Sequence, residues 1–251
     1  MKLALITGAS SGVGAATARL FAQNGIKVGM VARRQEILDQ LASEIGENAV
    51  PLACDVSDAG AVDTMAAEVT DKHGAPDIVV NCAGLGEWKR LEDTEPANAV
   101  AMIGAPYLSA FFVTRAFLPG MLARNSGTVI HVNSPASYVA WPSSVGYTAS
   151  RAALRGFHEA LAQDLVKTGV DSCHIVFGKI DSAYFEVNDV PEDAIPAISK
   201  TMPTLTPEYC AQRILEVARR PRYLLIAPLM LRLQIAFSRY FPRMTRWLVR
   251  F

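Results

Sequence analysis

Short apolar runs rich in β-branched residues alternate along the chain with stretches whose apolar positions recur at helical spacing. The runs at Leu3 to Thr7, Lys27 to Val31, Ala49 to Ala53, Asp77 to Val80, Gly127 to Asn133, Asp171 to Val176 and Tyr223 to Ala227 predict strands. Helical patterns fill the intervals, among them Ala15 to Gln23 and Gln35 to Ile45. Strands separated by helices predict a parallel sheet, because a right-handed crossover helix is the usual link between parallel neighbours. The expected fold class is therefore α/β, a doubly wound parallel sheet. No repeat, low-complexity tract or charged linker interrupts the sequence, so a single domain over residues 1–251 is expected.

Composition refines this picture mainly at one end. The chain is 51% hydrophobic, which suits a sheet covered on both faces. Its formal net charge is zero, yet no acidic residue follows Glu216, whereas Arg219, Arg220, Arg222, Arg232, Arg239, Arg243, Arg246 and Arg250 all do. The last five of these share one helical face if the phase continues through Pro242, with Leu233, Phe237, Phe241, Met244, Leu248 and Phe251 largely opposite. Residues 229–251 thus form a basic amphipathic C-terminal extension with two open roles. It can lie on an anionic membrane surface, or it can close a pocket or pack on a partner subunit. It is too short and too often interrupted by arginine to span a bilayer. Nucleic acid is not expected as a partner, because the basic residues are confined to this strongly apolar tail.

Cys54, Cys82, Cys173 and Cys210 lack the spacing of a zinc site or a disulfide framework and read as small buried residues in a reducing compartment. His73, His131, His158 and His174 read as packing residues, and no metal is expected. The N-terminal run is too short for a signal peptide, so a cytoplasmic location is expected, with membrane-surface contact open to the tail.

The first chemical signal is Thr7-Gly8-Ala9-Ser10-Ser11-Gly12-Val13-Gly14, which lies between a predicted strand and a predicted helix. That order lets backbone approach a pyrophosphate and presents helix N-terminal amides to it. The spacing differs from the commonest dinucleotide fingerprint, and its position carries the signal.

Further motifs follow in order: Asp55-Val56, Asn81-Cys82-Ala83-Gly84, Asn133-Ser134, Tyr147-x-Ala149-Ser150, and Gly178 with Ser182. With these the chain resembles the short-chain dehydrogenase/reductase family, classical type, over nearly its whole length. The resemblance implies a Rossmann-like sheet, an NAD(P)-dependent oxidoreductase, and a homodimer or homotetramer. It implies Tyr147 as the acid/base, Ser134 as the group polarising a carbonyl oxygen, and cofactor contacts at Gly8, Ser10, Ser11, Gly12, Val13, Gly14, Asp55, Val56, Asn81, Ala83, Gly84, Tyr147, Arg151, Gly178, Ile180 and Ser182. After the second strand, Arg33 and Arg34 stand where an acidic residue would favour a free ribose hydroxyl, so NADP(H) is expected over NAD(H). A solvated first helical turn is the plainer role for both arginines.

Two positions depart from the family pattern. Arg151 replaces the lysine four residues after the tyrosine. It keeps a positive charge worth about 3 kcal/mol at ~5 Å, but it replaces a compact ammonium with a planar fork. Counting back from Thr114 to Pro119 places Pro106 where the family has a catalytic asparagine. A proline there also bends a helix.

Pro135, Tyr138, Val139, Trp141, Phe177, Tyr184, Phe185 and Met202 are candidates to line a mostly apolar substrate pocket, with Val139 and Phe177 equally placed to be core. The expected activity is reduction of a lipophilic aldehyde or ketone, or oxidation of the corresponding alcohol. The alternatives are a cofactor-binding sensor or scaffold without turnover, and a non-redox enzyme using Tyr147 as an acid or base.

Overall fold

The computed structural model describes residues 1–181 and 202–249. Seven parallel strands form one sheet in the order β3-β2-β1-β4-β5-β6-β7. They are β1 Leu3–Thr7, β2 Lys27–Ala32, β3 Ala49–Ala53, β4 Ile78–Asn81, β5 Gly127–Asn133, β6 Val170–Phe177 and β7 Leu224–Ala227. All seven predicted strands are present, with ends displaced by at most one residue. Asp77 immediately precedes β4, where its carboxylate accepts the Leu3 amide at 2.8 Å and its amide donates to the Leu3 carbonyl at 2.8 Å, locking the start of β4 to β1.

Among the described residues the helices are α1 Gly12–Gln23, α2 Gln35–Ile45, α3 Ala59–His73, α4 Pro96–Ile103, α5 Ser109–Ala123, α6 Val145–Asp164, α7 Pro207–Arg219, α8 Leu229–Tyr240 and α9 Pro242–Leu248. Strand alternation divides their packing into two cores. Ala4 and Ile6 face the layer that contains Phe21, Leu38 and Ile214, whereas Leu3 and Leu5 face Met65, Phe117 and Leu161. The sheet is buried on both sides, as its apolar strands require.

The strand order reverses beside β1, whose neighbours are β2 and β4. A doubly wound sheet binds ligands in the crevice beyond its strand ends at such a point. The tail departs from a single continuous amphipathic helix. Phe241 leaves the helical region (φ −124, ψ 60), and Pro242 starts α9. Proline cannot donate to the preceding turn, so the helical phase does not carry from Arg239 to Arg243.

Candidate active site

The glycine turn is built for close backbone approach. Gly8 and Gly12 have φ of +68 and +50, and a Cβ on Gly14 would collide with the Gly8 carbonyl. The hydroxyl of buried Thr7 accepts the Cys82 and Ala83 amides at 3.1 and 3.0 Å, tying this turn to the Asn81–Gly84 segment. Asn81 is fixed in turn by donation to Thr114 Oγ1 at 3.1 Å. Helix α1 starts at Gly12, earlier than its apolar periodicity indicates, and Ser11 at its N-cap makes no side-chain bond to the first-turn amides. Ser10, Ser11 and Val13 stand around this helix start, which fits a pyrophosphate.

Arg33 and Arg34 are exposed just beyond β2, with Arg34 at the N-cap of α2. The Asp55 carboxylate accepts the Ser57 hydroxyl at 2.6 Å and the Ser57 amide at 3.0 Å. Those bonds, with a smaller contribution from the Arg33 charge, hold it below the usual carboxylate range. Helix α3 is capped by Asp58, not Asp55. Val56 packs against the second core. Gly178 bonds the Ala227 carbonyl, and Ile180 bridges to Leu205. Ser182, Tyr184, Phe185, Arg250 and Phe251 lie outside the described residues.

Ser134 directly follows β5 and caps a 3-10 turn, Pro135–Ser137, its Oγ accepting the Ala136 amide at 3.3 Å. That turn packs on α6, which carries Tyr147 and, one turn later, Arg151. Asn133 joins the two elements. Its Oδ1 accepts the Ser134 amide at 2.8 Å, and that fixes its Nδ2 as donor to the Arg151 carbonyl at 3.0 Å and to His174 Nε2 at 2.9 Å.

Arg151 is buried. Its guanidinium carbon sits 5.0 Å from the Tyr147 ring centroid, and Nη1 donates to the Val132 carbonyl at 3.4 Å. Gly84 makes room for the fork, since a Cβ there would lie 2.6 Å from Nη2. The positive charge expected beside the tyrosine is present, held against the ring.

Trp88 forms the other side of the site. Its ring lies 5.3 Å from that of Tyr147 and 5.3 Å from that of Trp141, and it is buried with Met102 and Ala136. In the sequence, only its position shortly after Gly84 marks this tryptophan. Between α4 and α5, Gly104–Leu108 forms a π-helical turn that contains buried Pro106 and packs on α6. The helix irregularity expected at Pro106 is therefore present.

Beside this site lies a cavity of about 340 Å³. Pro135, Val139, Trp141 and Met202 form one wall, and Leu231, Ile235, Phe237, Leu248 and Val249 of the tail form another. The expected division of the tail is corrected here. Leu233, Phe237 and Leu248 line the cavity, Leu233 at its exposed edge, whereas Phe241 and Met244 are exposed alongside the arginines. Phe177 belongs to the sheet core, and Tyr138 packs beneath the guanidinium of Arg155, 4.7 Å from its ring centroid. The thiols are poorly nucleophilic, since burial pushes Cys82, Cys173 and Cys210 up to about 12.

The switch-point crevice and the glycine turn place the protein in the Rossmann-like class of dinucleotide-binding folds. The short chain dehydrogenase family profile matches residues 2–191. A short chain dehydrogenase of Pseudocercospora fijiensis is 38% identical over 211 residues, covering 79% of this chain and 65% of that protein, just under two thirds of its length. The closed form of a serine dehydrogenase complexed with NADP+ superposes with a TM-score of 0.82 at 29% identity, covering 91% of this chain and 95% of that one. A short chain dehydrogenase/reductase from Burkholderia phymatum in complex with NAD shares the fold, with a TM-score of 0.86 at 22% identity over 97% of this chain and 94% of that one. This chain belongs to the short-chain dehydrogenase/reductase family and is an oxidoreductase of that type.

Proposed function

We propose that the protein is an NADP(H)-dependent reductase of lipophilic aldehydes or ketones, or the corresponding alcohol dehydrogenase. The observation that carries this reading is the apolar cavity beside the Ser134 turn and α6, whose lining is apolar apart from Gln234 and Thr245. A bound dinucleotide would exchange a hydride with the carbonyl carbon. Ser134 would donate a hydrogen bond to the carbonyl oxygen, and Tyr147 would give that oxygen its proton, to be replaced from solvent. Arg151 would favour the phenolate left behind. Arg33 and Arg34 support the phosphorylated cofactor, because exposed guanidinium forks match a ribose phosphate. A homo-oligomer is the assembly we propose, with exposed Phe111 as the outermost member of an aromatic cluster whose Phe112 and Phe157 reach back to the core.

The test is oxidation of NADPH and NADH with a series of linear aldehydes, followed by absorbance. Catalytic efficiency is expected to rise roughly fourfold per methylene until the cavity is filled, from ~0.8 kcal/mol per buried group. Arg33→Ala should narrow the NADPH preference by roughly 1.5–3 kcal/mol. Tight NADPH binding without turnover of any carbonyl would favour a cofactor-sensing role instead.

A further inference from the structure

The outward side of α8 and α9 is not core, and only Leu233 on it reaches the cavity edge. Leu229, Leu233 and Tyr240 are four and seven residues apart and share one face of α8, while Phe241, Met244 and Trp247 continue an apolar surface through the break and along α9. These are large, exposed side chains: Tyr240 is 78%, Phe241 54% and Trp247 60% accessible. Arg232 and Arg239, seven residues apart, flank the α8 crest, and Arg243 and Arg246 flank that of α9. Leu231 and Ile235, on the other side of α8, and Leu248 and Val249 at the end of α9 reach the cavity.

We infer that α8 and α9 seat the protein on an anionic phospholipid surface, with the apolar crest entering the headgroup boundary and the arginines pairing with lipid phosphates. An aromatic and aliphatic crest bordered by arginines matches a helix lying in the bilayer interface. The sign of the charge selects an anionic surface. A second copy of the chain is a poorer occupant, because a two-fold contact through this face would bring arginines together and the segment has no carboxylate to separate them. Seating here also places the cavity wall between the catalytic turn and the lipid, a short route for an apolar substrate.

The whole protein, without cofactor or carbonyl, is mixed with vesicles of phosphatidylcholine alone or phosphatidylcholine with phosphatidylglycerol. Sedimentation should favour the anionic vesicles by roughly a hundredfold at low salt and fall as salt is added. The Arg239→Glu, Arg243→Glu double variant should lose this preference while keeping its melting temperature. The Phe241→Ser, Trp247→Ser double variant should lose binding with its charge intact. Lipids brominated on their acyl chains should quench wild-type tryptophan emission but not the emission of bound Trp247→Phe. Equal partition onto both vesicle types overturns the inference. So does a wild-type dimer that ignores vesicles and that Phe241→Ser, Trp247→Ser converts to monomer. Since no substrate is present, failure to reduce any lipophilic carbonyl leaves this result standing, and the converse also holds.

Discussion

At the scale of single residues, Arg151 separates charge from shape. Its guanidinium lies against the Tyr147 ring, over Gly84 and within reach of the Val132 carbonyl. If field alone matters, Arg151→Lys keeps kcat within about tenfold, whereas Arg151→Met loses on the order of a hundredfold, the rate equivalent of ~3 kcal/mol. Tyr147→Phe removes the proposed proton donor and should cost about a hundredfold or more. Measuring kcat separately from the KM for NADPH distinguishes the effects, since a misplaced cofactor raises KM. A lysine variant as impaired as the methionine one would show that the site is built around the fork. Ser134, Tyr147 and Arg151 were legible because their spacing is a motif. Trp88 and the bridging amide of Asn133 were not, because their contacts come from loops and strands that meet only in the folded chain.

At the scale of elements, strand periodicity was the most legible feature. The inner strands β1, β2, β4, β5 and β6 are buried on both faces over most of their length, so the local pattern and the tertiary environment agree. The start of α1 was less legible, because glycines that usually stop a helix here allow it to begin against β1. Gly14→Ala tests that arrangement. Its Cβ would meet backbone rather than a movable side chain, so the turn must open. The expected cost is roughly 1–3 kcal/mol of stability, with loss of the rise in melting temperature that a bound dinucleotide gives. A variant that melts and responds to NADPH like the parent would show that the turn is not the cofactor cradle. The tail was half legible. Its charge and apolarity were evident, but the break at Phe241 directs neighbouring apolar residues to opposite sides, which a single helical wheel cannot represent.

At the scale of the whole molecule, a buried histidine trio sets the acid limit of the fold. His131, His158 and His174 lie between β5, β6 and α6, near the Ser134 turn, with ring centroids 6.0 Å apart for the first pair and 5.2 Å for the second. His158 is held by the Ser172 hydroxyl at 2.9 Å, and His174 accepts from Asn133. An imidazolium at His174 would turn that acceptor into a donor facing another donor. Burial pushes His158 down to about 4; burial, then the His158 and Arg155 charges, takes His174 to about 3; His131 is also driven well below its ordinary value by burial and its two neighbours. The unfolded chain protonates these rings near pH 6.5 and the folded chain does not, so their contribution is fully present above that pH. It is lost as pH falls from about 6.5 toward 4, at up to ~1.4 kcal/mol per pH unit for each ring. Surface His73 is lowered too and acts in the same direction, whereas Asp55 acts only below the ordinary carboxylate range. Denaturant unfolding at several pH values should show this slope. His158→Gln, which keeps a polar partner for Ser172, should reduce it by about one ring's share. Stability independent of pH across that window would mean that the three rings take up protons in the folded state, and the Asn133 bridge beneath Ser134 and Arg151 would then have to rearrange.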